Sequence, residues 1–159
     1  MQQMPKRWLN EKEQKFWRAY IESSIRLNKV LNADLEKTAG FDLLTYEIMV
    51  RLSEAPNMSL RMKDLAQNVS AQKSKLTYRV SQLERKGWVE RCAFEEDKRG
   101  QLCRLTKKGF SILEKAAPKH VDAVLKQFIE PTEDEDIEQL TEMFHLIAAS
   151  GPQDQQNDD

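Results

Sequence analysis

The sequence predicts a mainly α fold of about six helices carrying one small β-hairpin wing. Three observations lead there. Gly and Pro number only five each in 159 residues, too few for the tight turns of a many-stranded sheet. Apolar residues recur at i, i+4 and i+7 over long stretches, the spacing of one helix face. Two segments read as strands, Trp88–Phe94 and Gln101–Leu105, with the charged tip Glu95-Glu96-Asp97-Lys98-Arg99-Gly100 between them.

Asn10 followed by Glu13 starts the first helix as a capping box and predicts a run to about Lys37. Its two apolar rows, Trp17-Ile21-Ile25 and Tyr20-Leu27-Leu31-Leu35, are wider than a small domain needs. Gly40 ends it. Asp42 caps a second helix with Leu44, Ile48 and Leu52 inward, and Ala55-Pro56-Asn57 stops it. A short helix is expected from Ser59 or Leu60, with Met62, Leu65 and Ala66 inward. Asn68-Val69-Ser70 is a turn, and Ser70 caps a helix reaching about Lys86 whose inner row is Leu76, Val80 and Leu83. Gly87 closes it in a left-handed conformation. Two short helices joined by a tight turn form the helix-turn-helix pattern. Beyond the hairpin, Thr106 opens a long helix through about Ile129, with a kink expected at Pro118. Pro131 and a Thr132…Glu135 capping box start a last helix with the row Ile137, Leu140, Phe144 and Ile147. Residues 151–159 are polar, without an apolar anchor, and predict a disordered tail.

Charge divides the chain. From Ser59 to Gly109 there are thirteen Lys/Arg against six Asp/Glu, a net +7, whereas Glu130–Asp159 holds ten acids and no Lys or Arg. A basic stripe on an ordered domain marks a polyanion partner. No apolar run approaches the ~20 residues that span a bilayer, and the N-terminus has no signal-like apolar core. Cys92 and Cys103 are too few for a disulfide framework. These features predict a cytoplasmic protein away from the membrane. No Walker loop, Gly-x-Gly-x-x-Gly or His-Glu-x-x-His occurs, and His120 and His145 lack ligand-spaced neighbours. No catalytic residue, metal ligand or cofactor site is therefore assigned, and an enzyme is not expected.

The helix after Ser70 presents a polar face of Gln72, Lys75, Arg79, Gln82 and Lys86, flanked by Lys73, Ser74 and Thr77. An α-helix fits the DNA major groove, where Gln, Lys and Arg hydrogen-bond base edges and Ser or Thr meets bases or phosphates. On the hairpin tip, Arg99 suits the minor groove, and Asp97 can hold its guanidinium in a fixed pose. Val89 and Leu105 facing the core would place Cys103 inward and Cys92 outward, so a direct cross-strand disulfide needs a bulge.

Lys86-Gly87-Trp88-Val89-Glu90-Arg91, Asp97-Lys98-Arg99-Gly100 and Leu105-Thr106-Lys107-Lys108-Gly109 together resemble the signature of the MarR (multiple antibiotic resistance regulator) family of winged-helix transcription factors. Trp8-Leu9, Leu52-Ser53-Glu54-Ala55-Pro56 and Ala117-Pro118-x-His120-Val121 are similar to a subgroup common in actinobacteria. The resemblance implies a winged helix-turn-helix lobe over 41–109 and an interleaved helical dimerisation region over 8–40 and 110–150. It implies a homodimer reading a pseudo-palindromic operator in double-stranded DNA, with half-sites ~34–36 Å apart. Major-groove residues would be Ser70, Gln72, Lys73, Ser74, Lys75, Thr77, Tyr78 and Arg79. The wing would use Asp97, Lys98 and Arg99, with Arg61 and Lys63 on the DNA backbone. The dimer interface would draw on Trp8, Leu9, Phe16, Leu125, Phe128, Ile129, Leu140, Phe144 and Ile147. The function implied is a repressor released by a small aromatic or phenolic effector, in a pocket lined by Phe16, Tyr20, Tyr46, Met49 and His120 with Arg18 or Arg51 nearby. Two alternatives stay open: a winged-helix module that binds an acidic protein, and a thiol-redox regulator using Cys92.

Overall fold

Helix α1, Glu11–Ala39, begins where the Asn10 side chain accepts from the Glu13 N–H and the Glu13 carboxylate accepts from the Asn10 N–H, the expected capping box. The structure, a computed structural model, describes residues 7–69, 71–93 and 101–150. Arg7 closes over the cap with two bonds to Glu13, 2.7 and 2.8 Å. That pair, with the backbone bond from Asn10, holds the Glu13 carboxyl at about 2 instead of 4.5. A depressed carboxylate stabilises the folded cap above its unfolded value and loses that contribution as pH falls from 4.5 toward 2. An NMR titration of the Glu13 carboxyl carbon is expected to show a midpoint near 2 that moves back toward 4.5 in Arg7→Ala. A midpoint unmoved by that substitution would contradict the assignment.

Gly40 ends α1 with φ 77°, donating to Leu35 and Glu36 carbonyls. Helix α2, Leu43–Glu54, is capped by Asp42, which accepts from the Thr45 N–H at 3.0 Å. A 3₁₀ turn over Pro56–Met58 follows, with Asn57 and Met58 both in the left-handed region at φ 54° and 52°.

The next element departs from expectation. Ser59–Arg61 is a strand, β1, and helix α3 starts only at Met62 and runs to Asn68. Strand β1 pairs antiparallel with Gln101–Leu105, here β3, in the register Ser59↔Arg104, Leu60↔Cys103, Arg61↔Leu102. Its ladder partner lies far along the chain, so no local period announces it. Helix α4, Lys73–Arg85, has Gln72 as its N-cap residue with no side-chain cap bond. Ser70, the expected cap, lies outside the described residues. At the other end Trp88 N donates to Leu83 O and Gly87 N to Glu84 O, with Gly87 at φ 71°. This is the Schellman closure that the glycine predicts.

Strand β2, Val89–Ala93, pairs with β3 antiparallel, giving the sheet order β1-β3-β2. Trp88, expected in the strand, belongs to the helix cap. Helix α5, Lys107–Val124, contains Pro118, which does not end it, and a single π-helical turn over Leu125–Ile129 follows. Helix α6, Asp134–Ala149, has Glu133 as N-cap residue with no side-chain bond. The expected Thr132…Glu135 box is not formed: the helix starts one residue later than expected, so Thr132 precedes the N-cap position, and its hydroxyl donates back to Phe128 O at 2.8 Å. Asp134, Glu135 and Asp136 in the first turn complement the helix dipole instead. The 151–159 tail lies outside the described residues.

The chain forms two compact units, one through Ala123 and one from Val124. The core of the first gathers Leu35 of α1, Ile48, Met49 and Leu52 of α2, Leu65 of α3, Leu76, Val80 and Leu83 of α4, Val89, Cys103 and Leu105 of the sheet, and Leu113 of α5. Each fully buried aliphatic side chain contributes about 1.5–3 kcal/mol. The start of α5 is tied to the end of α4. Thr106 N donates to Trp88 O at 3.0 Å, the Thr106 hydroxyl donates to Gly87 O at 2.7 Å, and Lys108 Nζ reaches Lys86 O at 2.8 Å.

Candidate nucleic-acid interface

Helix α4 is two-faced. Leu76, Val80 and Leu83 are buried, while Gln72, Lys73, Ser74, Lys75, Thr77 and Tyr78 are exposed on its N-terminal half. The apolar row thus fixes which side chains point outward. The first turn holds no acid and two lysines, the reverse of what the helix dipole favours. The local sequence therefore suits an anionic partner better than it suits the isolated helix. The Thr77 hydroxyl donates to Lys73 O at 2.9 Å, leaving its oxygen to accept.

Arg79 differs from these neighbours. Its guanidinium is half-buried and pairs with Asp42 at the start of α2, so it turns toward the lobe and away from the outward face. Arg91 on β2 also reaches α4. It donates to the Glu84 carboxylate at 3.2 Å, to the Ser81 hydroxyl at 3.0 Å and to Thr77 O at 3.3 Å. Asp42, Glu84 and Arg91 were not among the sequence-derived site residues. Asp42 was legible only as a cap, and a basic residue on a strand carried no sign of its helical partner.

Arg61 and Lys63, at the junction of β1 and α3, are exposed. The wing tip with Asp97, Lys98 and Arg99 lies outside the described residues. At the base of the wing, Arg104 bridges to Glu90 at 3.5 Å and to the Ser59 hydroxyl at 3.1 Å. The cysteines follow strand parity. Cys103 is fully buried opposite Arg91, and Cys92 is partly exposed opposite Leu102. Burial pushes the Cys103 thiol up to about 12. Iodoacetamide at pH 8 is therefore expected to alkylate Cys92 and spare Cys103 in the folded protein, as read by peptide mass spectrometry. Labelling of both at equal rates would contradict this placement.

A cavity of about 460 Å³ is lined by Asn28, Leu43, Tyr46, Glu47, Val50, Arg51, Glu54 and His120. Of the expected effector residues it brings together Tyr46 and His120, whose ring centroids are 4.2 Å apart, with Arg51 beside them. Burial lowers the His120 pKa, opposed by Asp34, and raises that of Tyr46, reinforced by Glu54. Imidazole Nδ1 of His120 is buried with no hydrogen-bond partner among the described residues. Met49 is fully buried in the core and adds no surface to this cavity. Phe16, Arg18 and Tyr20 are not among its lining residues; Tyr20 is exposed beside Trp17, ring centroids 6.1 Å apart. Glu47 and Glu54, which were not among the expected lining residues, place two carboxylates at this cavity.

Several apolar side chains are exposed along α1, α5 and α6. Trp8 is 94% exposed, Phe16 59% and Ile147 52%, and Leu9, Leu125, Phe128 and Phe144 are also exposed. Ile129 and Leu140 are half-buried, and α6 has no buried residue.

Among the described residues, six α-helices and a three-stranded antiparallel sheet in this order define a winged helix-turn-helix protein. The MarR family model matches residues 43–100. Sco3205 of Streptomyces coelicolor, a MarR family transcriptional regulator solved in complex with DNA, is 38% identical, with 91% of this chain and 90% of that one covered and a TM-score of 0.86. AbsC of the same organism, also a MarR family transcriptional regulator, is 35% identical over 91% of this chain and 97% of its own, with a TM-score of 0.85. The chain belongs to the MarR family, whose members are transcriptional regulators and not enzymes. The transcriptional repressor MprA of Escherichia coli is 26% identical over 116 residues, 72% of this chain and 63% of that protein's length. No described helix is long and apolar enough to cross a membrane.

Proposed function

We propose that this protein is a cytoplasmic, sequence-specific regulator of transcription that binds double-stranded DNA as a homodimer and represses neighbouring genes until a small molecule releases it. The observation that carries this reading is α4. One face is sunk in the core and the other presents Gln72, Lys73, Ser74, Lys75, Thr77 and Tyr78 outward with no acid among them, a surface suited to base edges and phosphates. The DNA complex of Sco3205 and the repressor role of MprA support the same reading. Wide exposed apolar surface on α1, α5 and α6 supports dimerisation, since monomers rarely leave such patches uncovered. The Tyr46–His120 cavity suits a small aromatic effector, which would act by favouring a spacing of the two recognition helices that misfits the groove.

DNase footprinting on the promoter regions flanking the gene tests the proposal. A discrete protected pseudo-palindrome is expected, with affinity falling on the order of 10³-fold between 50 and 200 mM salt as phosphate contacts release counterions. Retention without a discrete footprint would favour a module that holds an acidic protein.

A further inference from the structure

We propose that Arg79 is a positioning residue. Through Asp42 it locks the recognition helix α4 to the corner between α1 and α2, and so sets the separation of the two recognition helices in the dimer. This rests on the DNA-binding dimer proposed above and deepens it.

The corner is a polar junction of three helices. From α1, the Asn32 side-chain oxygen accepts the Leu43 N–H at 2.9 Å, an otherwise orphaned donor in the first turn of α2. The Asn32 amide nitrogen donates to Glu36 at 3.0 Å, which fixes the orientation of the amide. At the same corner, Asp42 divides its carboxylate between two tasks. Oδ1 accepts from the Thr45 N–H at 3.0 Å and Oδ2 accepts from the Arg79 guanidinium of α4. A single short turn thus joins α1, α2 and α4 by directional bonds.

The turn itself has little freedom. Only three residues separate α1 from α2, the first being Gly40 at φ 77°. Phe41 is buried and packs edge-on against Trp88 with centroids 5.6 Å apart. By contrast, the N-terminal end of α4, which bears the exposed polar side chains, has no side-chain cap of its own. The Leu76, Val80 and Leu83 contacts hold α4 in the core, but apolar packing is not directional. The charge-assisted Arg79–Asp42 bond is directional and fixes the helix's angle. Leverage makes that angle matter. From Arg79 to Lys73 the helix rises ~9 Å, so a ~10° tilt at Arg79 displaces the Lys73 end by ~1.6 Å. That is about half of the ~3.4 Å step between base pairs.

Asp42→Asn separates positioning from cap loss, because Asn caps a helix about as well as Asp while removing the charge that faces Arg79. The test compares wild type, Asp42→Asn, Arg79→Met and Arg79→Lys on three DNAs. These are the footprinted operator, the operator with one base pair inserted or deleted between half-sites, and a single half-site. Thermal melting of each variant serves as the folding control. For Asp42→Asn and Arg79→Met we expect affinity for the native operator to fall about tenfold, while affinity for the respaced operators and the half-site changes less than about threefold. Preference for the native spacing is thereby flattened, and Arg79→Lys retains part of it. An unchanged spacing preference in a normally melting Asp42→Asn protein would overturn the proposal. So would half-site and operator affinities falling together with the melting temperature, the signature of a merely structural bond. Half-site binding lost in Arg79→Met but intact in Asp42→Asn would make Arg79 a direct DNA contact and likewise overturn it. If wild type protects no site at all, the regulator reading fails first and the joint with it.

Discussion

Gly109→Ala is expected to destabilise the winged-helix lobe by on the order of 3–5 kcal/mol, a large part of the roughly 5–15 kcal/mol that holds a domain folded. A Cβ at this position would lie 2.1 Å from the Trp88 carbonyl oxygen and 2.8 Å from a Leu105 methyl group. The oxygen is backbone and cannot rotate away. Relief would require the first turn of α5 to lift from the α4 cap, breaking the Thr106 N–Trp88 O bond of 3.0 Å and the Thr106 hydroxyl–Gly87 O bond of 2.7 Å. Each such bond contributes about 1 kcal/mol, and overpacking adds about 1–3 kcal/mol. Urea unfolding followed by circular dichroism measures the loss, and a change below about 1 kcal/mol would show that the α5 start is not pinned as described. The glycine in the Leu-Thr-x-x-Gly motif is thus a requirement of close backbone approach.

The Gln72→Ala/Lys75→Ala double variant is expected to lower operator affinity by about 10³-fold or more while leaving thermal stability unchanged, because the dimer loses four base contacts, each worth about 1–3 kcal/mol. Both residues are exposed, and Gln72 caps α4 with its backbone and no side-chain bond, so neither truncation opens a cavity or orphans a buried partner. The loss should be selective. Affinity for random duplex DNA should change far less, since that term comes from phosphate contacts. Gel-shift titration against operator and random DNA separates the two, and equal weakening on both would show that these side chains touch only phosphate.

Much of this architecture is legible in the chain because its signals are local. Asn10 with Glu13, Gly40, Asp42 and Gly87 each act within one helical turn: Asn10 and Asp42 start a helix, and Gly40 and Gly87 end one, where the spacing places them. The Leu76-Val80-Leu83 row orients α4, and strand parity separates Cys103 from Cys92. What escaped the sequence was non-local. Strand β1 exists because Ser59 meets Arg104 across the sheet, and three residues carry no period that could reveal it. Arg79 shares the polar side of its helical wheel with Lys75, yet its partner is a carboxylate 37 residues upstream. The exposure of Gln72, Lys73 and Lys75 follows from the buried row beneath them, whereas which bases they meet depends on a partner surface that no intrachain pattern encodes.

Selection from a random duplex library by the protein tests whether the outward face of α4 reads DNA sequence. Wild type is expected to enrich a pseudo-palindrome with half-sites about one helical turn apart, and Gln72→Ala/Lys75→Ala to lose preference at symmetric positions within each half-site while the spacing persists. Enrichment of the same motif with unaltered preference by the double variant would contradict the account, as would no enrichment by wild type.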